Sequence, residues 1–508
     1  MRIFWNRLSS SSKNGANSSC DASILNGAFL AKVAKRTALG YNRPRMEFWT
    51  FCKDWLFGFL GINLIMDALE NGYEIPAQAY VQLVFSCVTL FFGVLTAYRA
   101  FYLLVGLFAK QRKYPEQKKE NRYAFLLSAR NEQAVIGNLI DSIRALDYPQ
   151  GLIDIYLVAD NCSEGDKTAE IAREKGCIVY ERHDQEHARK GYALEFMMEE
   201  MKKRVDLEKD YYAYVLCDSD NVLAPDFLSK INDAFVAENY AAVSGYRNIK
   251  NLNENWITAL NGINFYRNTL SVIRPRSVLH CHSQAYAGTG FALRSRILKD
   301  GWHWTEIVED CQLSTLLASE EENLGFCEEA EFYDEQPSSL KISFRQRLRW
   351  AKGSLIVWWK YGPKLMASFF KRPSWQKYDL YWDYFPFTLF SFLWPFLYQV
   401  ISLIMILCTG VNAWPSFFNY LISTVVGMYF GGFVTAAAVL IREWKRVHFK
   451  AWQAFLMLFL WPLYDLSGIF LNIACLFTKT VWKPIPHKVV ADPKALVKEE
   501  QDKMKKRS

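Results

Sequence analysis

Four groups of side chains in this sequence have types and spacings that could do chemistry together. Asp218-Ser219-Asp220 follows the apolar run Tyr211–Cys217. Two carboxylates two residues apart on a turn can approach one divalent cation and leave positions for phosphate oxygens and water. Such a cation would act as a Lewis acid on a diphosphate; a plainly solvated acidic loop is the alternative. Asp160 closes Leu157-Val158-Ala159-Asp160-Asn161 and could accept hydrogen bonds from a nucleobase. It could equally cap the turn ahead of Glu164-Gly165-Asp166. Asp310, beside Glu309, could take the proton from an attacking hydroxyl, or could be a carboxylate favoured by a helix N-terminus. Gln346-x-x-Arg349-Trp350, if helical, places three side chains about one turn apart on a shared side. Arginine suits a diphosphate because its planar fork stays charged and donates in pairs. Tryptophan offers a flat apolar face to a sugar ring. A basic helix end at a membrane surface is the competing reading, with Arg345 and Arg347 meeting lipid headgroups.

The elements that must position these groups alternate. Strands are expected at Tyr123–Ser128, Asp154–Ala159, Cys177–Tyr180 and Tyr211–Cys217, with helical periodicity over Glu132–Leu146, after Asp160 through Lys175, and over Lys190–Lys203. Strands alternating with helices of this length imply an α/β domain with a largely parallel sheet. Ligands of such sheets gather at the carboxyl ends of the strands, where Asp160 and Asp218 both fall.

On either side the chain becomes apolar. Positions 384–441 hold no Asp, Glu, Lys or Arg, enough for two spans of about 20 residues joined by a turn at Thr409–Pro415. Tyr80–Phe108 is a further span, interrupted by Arg99, and Trp55–Leu69 is a weak span or an interfacial helix. Ala351–Lys371 reads as an amphipathic helix in the interface. Ala451–Phe477 is apolar but contains Pro462 and Asp465; one crossing there would put the Lys-rich tail outside, whereas a segment bent at Pro462 would keep it inside.

The net charge of +8 does not indicate nucleic-acid binding, because the cations cluster at Lys110–Lys113, Arg442–Lys450 and the tail after Lys479, beside apolar segments. That is the distribution of cytoplasmic flanks. The 11 cysteines form no C-x-x-C pair and fit structural thiols in a reduced compartment. His280-Cys281-His282 has no companions at zinc-site spacing and reads as structural.

Taken in order, Asp160, Asp218/Asp220, Asp310 and Gln346–Trp350 resemble the motifs of membrane-embedded family-2 glycosyltransferases, among them the cellulose, hyaluronan and poly-N-acetylglucosamine synthases. The resemblance covers roughly Tyr123 to Trp350 and extends to the flanking spans. It implies an α/β GT-A-type catalytic domain on the cytoplasmic face of the cell membrane, in a multi-pass protein. The donor would be a nucleotide-diphosphate sugar, expected to be a UDP-sugar, used with Mg2+ or Mn2+. Asp160 would hold the uracil, Asp218 would face the diphosphate and bind metal with Asp220, and Asp310 would be the base of an inverting displacement. Gln346, Arg349 and Trp350 would hold the diphosphate and line the acceptor entrance, and Lys190-Gly191 would touch the nucleotide. Gly288-Thr289-Gly290 would let backbone approach donor or acceptor. The acceptor would be a growing β-linked polysaccharide or, alternatively, a membrane lipid, as in the ceramide glucosyltransferases, which end similarly in R/Q-x-x-R-W. The residues themselves read as a disordered extension over 1–45, either a targeting segment or a stretch ahead of a start at Met46, then a membrane region over 46–113, a catalytic domain over 114–350, an interfacial region over 351–376, a second membrane region over 377–478 and a basic cytosolic tail over 479–508. Trp482–His487 is similar to the tail after the last span in some bacterial relatives. Lipid contacts are implied, nucleic acid is not, and accessory subunits are left open.

Overall fold

The computed structural model describes residues 53–479, except 55, 57, 59, 73, 75 and 287, together with 487 and 502. The extension over 1–45, the start at Met46 and the tail other than positions 479, 487 and 502 lie outside the described residues. The chain divides into two compact units, Met1–Ser86 and Cys87–Ser508. In the first, helix α1 (Ile62–Glu70) begins at Gly61 and stands where a weak span or interfacial helix was expected. Helix α2 (Ala77–Thr96) begins in that unit and α3 (Tyr98–Phe108) continues in the second.

The second unit is built on β1 (Tyr123–Ala129), α4 (Ile136–Arg144), β2 (Ile153–Asp160), α5 (Thr168–Glu174), β3 (Ile178–Arg182), α6 (Lys190–Lys202), β4 (Ala213–Asp218) and β5 (Val222–Leu223). It continues through α7 (Phe227–Ala237), β6 (Ala242–Ile249), α8 (Trp256–Asn268), a π-helical turn (Thr269–Ile273), α9 (Arg274–Val278), β7 (Phe291–Arg294), α10 (Glu309–Ser319) and β8 (Leu324–Asp334). The eight strands form one sheet in the order β3-β2-β1-β4-β7-β6-β8-β5. Four strands, β3 to β4, are parallel as the alternation required; β7 then pairs antiparallel with both β4 and β6, so the sheet is mixed rather than largely parallel. Short segments such as β7 and β5 carry too little periodic signal for their direction to be read from sequence.

Both sheet faces are covered, which explains why β1, β2 and β4 are apolar without alternation. Tyr123, Phe125 and Leu127 pack with Ile136, Leu139 and Ile140 of α4 and with α7 on one face. Ala124 and Leu126 pack with Leu194, Met197 and Met198 of α6 and with Leu313 of α10 on the other.

Beyond β8, α11 runs unbroken from Leu340 to Lys371, so the Gln-Arg-Trp segment and the expected interfacial helix are one rod. Then come α12 (Trp375–Tyr384), α13 (Phe387–Leu407), α14 (Trp414–Arg442), α15 (Trp444–Val447) and α16 (Ala451–Phe477). Among the described residues, four segments are long and apolar enough to cross a membrane: Ala77–Phe108, Phe387–Leu407, Trp414–Arg442 and Ala451–Phe477. Large apolar side chains such as Phe91, Phe430 and Phe470 are exposed on them. Helix α16 is continuous through Pro462.

Two buried charge networks fasten these helices to the sheet. Arg274 bridges Glu328 of β8 and Glu443 at the end of α14, and Arg446 joins Glu331 to Glu443. Arg276 makes a two-pronged bond to Asp379 (2.8 and 3.0 Å) and reaches Asp383, which also lies 3.5 Å from Arg99.

Candidate active site

A cavity of about 560 Å3 opens at the carboxyl ends of β1, β2 and β4. Asp160, Lys190, Asp218, Asp220, Asp310, Gln346, Arg349 and Trp350, drawn from β2, α6, β4 and the turn after it, α10 and α11, all line it. The convergence follows from topology: parallel strands place their final residues on one edge, and α10 and α11 close the opposite side.

The turn after β4 is held rigidly. The Asp218 amide donates to Thr289 Oγ1 (2.8 Å) and to Asn221 Oδ1 (3.2 Å), and Thr289 itself bonds to Asn221. Thr289 lies between Gly288 and Gly290, both in the left-handed region (φ 78 and 66). A Cβ on Gly290 would fall 2.1 Å from Phe332 Cε1, so the position demands glycine on two counts. Asp220 is buried, and its Oδ2 accepts the Glu335 amide at 2.8 Å. Burial opposes its ionisation, but the charges of His487, Lys250 and Arg247 and the Glu335 amide hold its carboxyl below the usual range. Asp218 and Asp220 thus offer carboxyl oxygens to the same cavity. A cation bound there through one or two carboxylates would take its other ligands from phosphate and water. Among the described residues no cluster of three His, Cys, Asp or Glu able to hold a metal occurs.

Lys190 opens α6 with its ammonium on Asp218, on the Gly288 carbonyl (2.6 Å) and 3.8 Å from Glu309. Gly191 is required behind it, because a Cβ there would meet Trp304 O at 2.3 Å. Glu309 is raised to about 7 by burial, against Lys190 and with the help of Asp310. Asp310 is likewise raised by burial, opposed by the Cys311 amide, Lys190, Arg349 and Arg247. Its Oδ1 accepts the Cys311 amide at 2.8 Å.

On α11, Arg349 donates to the Ile307 carbonyl at 3.3 Å, Gln346 Oε1 is buried without a partner, and Trp350 meets Phe265 edge-to-face at 5.8 Å. Arg347 does not turn to lipid headgroups: it donates to Tyr464 O (3.1 Å) and Ser467 Oγ (2.9 Å) on α16. Asp160 accepts from Arg182 (2.7 Å) and Arg130 (2.6 Å). Its carboxylate therefore also organises two guanidinium groups at the strand ends.

Several lining residues carried no sequence signal of their own. Arg130 and Glu132 follow β1 directly, and their position at the same edge as Asp160 is the one clue available. Arg247 on β6 and Phe265 and Arg267 on α8 come from elements without a motif. His487 belongs to the Trp482–His487 segment, to which the residues alone assign no role. It reaches the cavity and faces Glu132 at 3.1 Å. Burial alone would lower the His487 imidazole, but Asp220, Glu132 and Glu335 push it up to about 9. Glu132 itself is raised, its burial outweighing His487.

Comparison with known proteins places this cavity. Residues 121–353 match the family model described as glycosyltransferase like family 2. The chain is similar to the probable glycosyltransferase YdaM of Bacillus subtilis (strain 168), with 26% identity over 55% of this chain and 66% of that one. It is also similar to a β-monoglucosyldiacylglycerol synthase of Trichormus variabilis, with 24% identity over 52% of this chain and 56% of that one. The chain thus spans less than two-thirds of the length of each of these relatives. Among solved structures it resembles a mannosyltransferase of Pyrobaculum calidifontis in complex with GDP-Man and Mn2+ (14% identity, TM-score 0.45, 75% of this chain and 97% of that one). A glucosyl-3-phosphoglycerate synthase of Mycobacterium tuberculosis is more distant (16% identity, TM-score 0.30, 46% and 76%). The α/β fold is of the expected GT-A type, with a mixed sheet and four apolar helices in addition. Residues 121–353 of this chain are a family-2 glycosyltransferase domain.

Proposed function

We propose that the cavity transfers a sugar from a nucleotide-diphosphate sugar, a UDP-sugar in the first instance, to an acceptor hydroxyl presented from the membrane side. The observation that carries this reading is the convergence of all eight motif residues on one cavity beside α11, which is tied to the apolar helix α16 through Ser343 and Arg347.

The nucleobase sits by Asp160 and the strand ends of β1 and β2. The diphosphate lies between the Asp218–Asp220 turn and Arg349. Asp218 and Asp220 would hold Mg2+ or Mn2+, which would supply charge neutralisation for the departing diphosphate. Lys190 keeps Asp218 in place and adds a second positive charge. The acceptor oxygen attacks the anomeric carbon on the face opposite the leaving oxygen, its proton passes to Asp310, and the carbon–oxygen bond to the diphosphate breaks. Configuration inverts in that single displacement. Burial lifts the Asp310 carboxyl toward the range in which a base both accepts a proton and stays ionised at neutral pH. Trp350 and Phe265 provide apolar ring faces for the acceptor.

The order of motifs between membrane-compatible helices supports elongation of a β-linked polysaccharide by a multi-pass protein with its catalytic domain in the cytoplasm. Transfer to a membrane lipid is favoured by one observation of its own, the similarity to diacylglycerol-glucosylating relatives. The test is incubation of detergent-purified protein with each radiolabelled UDP-sugar and sizing of the products. Long polymer supports elongation and a single glycolipid supports the lipid acceptor. Turnover with no nucleotide sugar would overturn both.

A further inference from the structure

The last turn of α8 forms a wall of the cavity that no motif marks. It presents Asn264, Phe265, Arg267 and Asn268. Arg267 donates from Nη2 to Asn264 Oδ1 at 3.0 Å, and its Nη1 stands 4.0 Å from Asp465 Oδ1 on the apolar helix α16. Its guanidinium lies 5.9 Å from the Trp461 ring centre. Two atoms on facing walls are buried without partners: the Arg267 Nε–H, a donor, and Gln346 Oε1, an acceptor. An unmet buried donor and an unmet buried acceptor are costly unless a ligand completes them. Phe265 and Trp350, which meet edge-to-face, line the same cavity.

The walls are fixed to each other and to the membrane helix. Tyr464 of α16 donates to Asn261 Oδ1 on α8 (2.6 Å), and Ser343 of α11 bonds to both (3.0 and 2.7 Å). Asp465 is the next residue along α16. A carboxylate in a helix apolar enough to cross a membrane calls for a function, and here its partner is a cavity residue.

We infer that Arg267, Phe265 and Asp465 form an acceptor subsite for an uncharged polyhydroxyl group, the terminus of a glycan or the headgroup of a neutral glyceride. A hydroxyl can accept from Arg267 Nε and donate to Gln346 Oε1, and the apolar face of the polyol rests on Phe265 and Trp350. Because Asp465 balances Arg267, the subsite carries no net charge and disfavours anionic phospholipid. This inference deepens the proposed transfer reaction and rests on it.

The experiment measures KM for donor and for acceptor separately in Arg267→Gln, Asp465→Asn, Arg267→Lys and the double Arg267→Gln/Asp465→Asn variant. One acceptor arm is a soluble oligosaccharide primer and the other is phosphatidylcholine vesicles containing monoacylglycerol, a neutral glyceride with two free hydroxyls. Arg267→Gln should raise acceptor KM roughly 10- to 100-fold, the loss of a hydrogen bond from a charged group, while donor KM stays within about two-fold. The arm in which KM rises identifies the acceptor source. A salt bridge serving only the fold would be relieved in the double variant, which leaves no lone charge; the subsite requires the double variant to stay impaired. Recovery of acceptor KM in the double variant, or a parallel rise in donor KM, overturns the subsite. If the wild-type protein turns over no nucleotide sugar, the proposed reaction itself falls; if it does and the variants keep their acceptor KM, only the subsite falls.

Discussion

His487 offers a sharp test because its environment inverts the usual behaviour of a buried imidazole. Burial disfavours the imidazolium, yet Asp220, Glu132 and Glu335 together push the group up to about 9 from an ordinary value near 6.5. That difference corresponds to roughly 3 kcal/mol of preference for the charged form in the docked state. The side chain is 17% exposed, so solvent screening removes little of it. The sign follows from linkage. A group raised on docking stabilises the docked state fully below its free value near 6.5, and that stabilisation disappears as pH rises through about 9. Docking of position 487 in the cavity should therefore weaken about 200-fold between pH 6 and pH 10. The assay is NMR titration of protein labelled with 13C at the imidazole ring, in detergent or nanodiscs. Only seven histidines contribute signals, and the His487→Gln variant identifies the relevant one. A midpoint near 9 is expected, falling toward 6.5 in Glu132→Gln. Adding Mn2+ with a nucleotide diphosphate should lower the midpoint as well, because a cation at Asp220 offsets the largest charge that raises it. A midpoint at or below 6.5 without ligands would refute the electrostatic reasoning.

Three other outcomes are expected. Asp310→Asn should reduce kcat by about 10²- to 10⁴-fold, the usual contribution of a general base, with nucleotide affinity retained; because burial raises Asp310, the wild-type rate should fall with decreasing pH at a midpoint above the ordinary carboxylate range. Arg274→Met should lower stability by about 3 kcal/mol, the low end for a broken buried pair, because Arg446 still lies 3.3 Å from Glu328 and 3.1 Å from Glu443; thermal unfolding in detergent measures it. Gly290→Ala should cost about 1–3 kcal/mol through the clash with Phe332 and the left-handed backbone, and should raise donor KM by displacing Thr289 from Asp218.

The parts of this protein that were legible in its sequence share a physical property. Each residue's chemistry is local, and its place in the fold follows from the element it ends. Asp160 and Asp218 close β2 and β4, so any parallel sheet brings them to one edge. Gln346, Arg349 and Trp350 share one helical side whatever that helix packs against. Direction and partnership were not legible, because they depend on what arrives from far along the chain. Strand β7 has four residues and no pattern to show that it runs against β4. Arg347 reads as a surface cation until Tyr464 and Ser467 arrive 117 and 120 positions later. Arg274 and Arg276 read as ordinary basic residues, yet both are buried among carboxylates contributed by β8, α12 and α14.

The same distinction explains why the donor side of the cavity was easier to read than the acceptor side. A diphosphate needs paired carboxylates, a lysine and an arginine at fixed spacings, and those leave a mark on sequence. A polyol needs one donor, one acceptor and an apolar face, and almost any three elements can supply them. Here they come from α8, α11 and α16, held together by the Asn261–Ser343–Tyr464 triad. That triad has a consequence for the acceptor. Helix α11 carries Arg349 at the diphosphate and Trp350 at the acceptor, and the same helix is tied through Arg347 and Ser343 to the apolar helix α16. Asp465 of α16 stands 4.0 Å from Arg267, so the same helix also bears on the proposed acceptor subsite. Acceptor choice is then made at the membrane helix rather than in the nucleotide pocket, so substitutions at Asp465 should change which acceptor is used without changing which nucleotide is used.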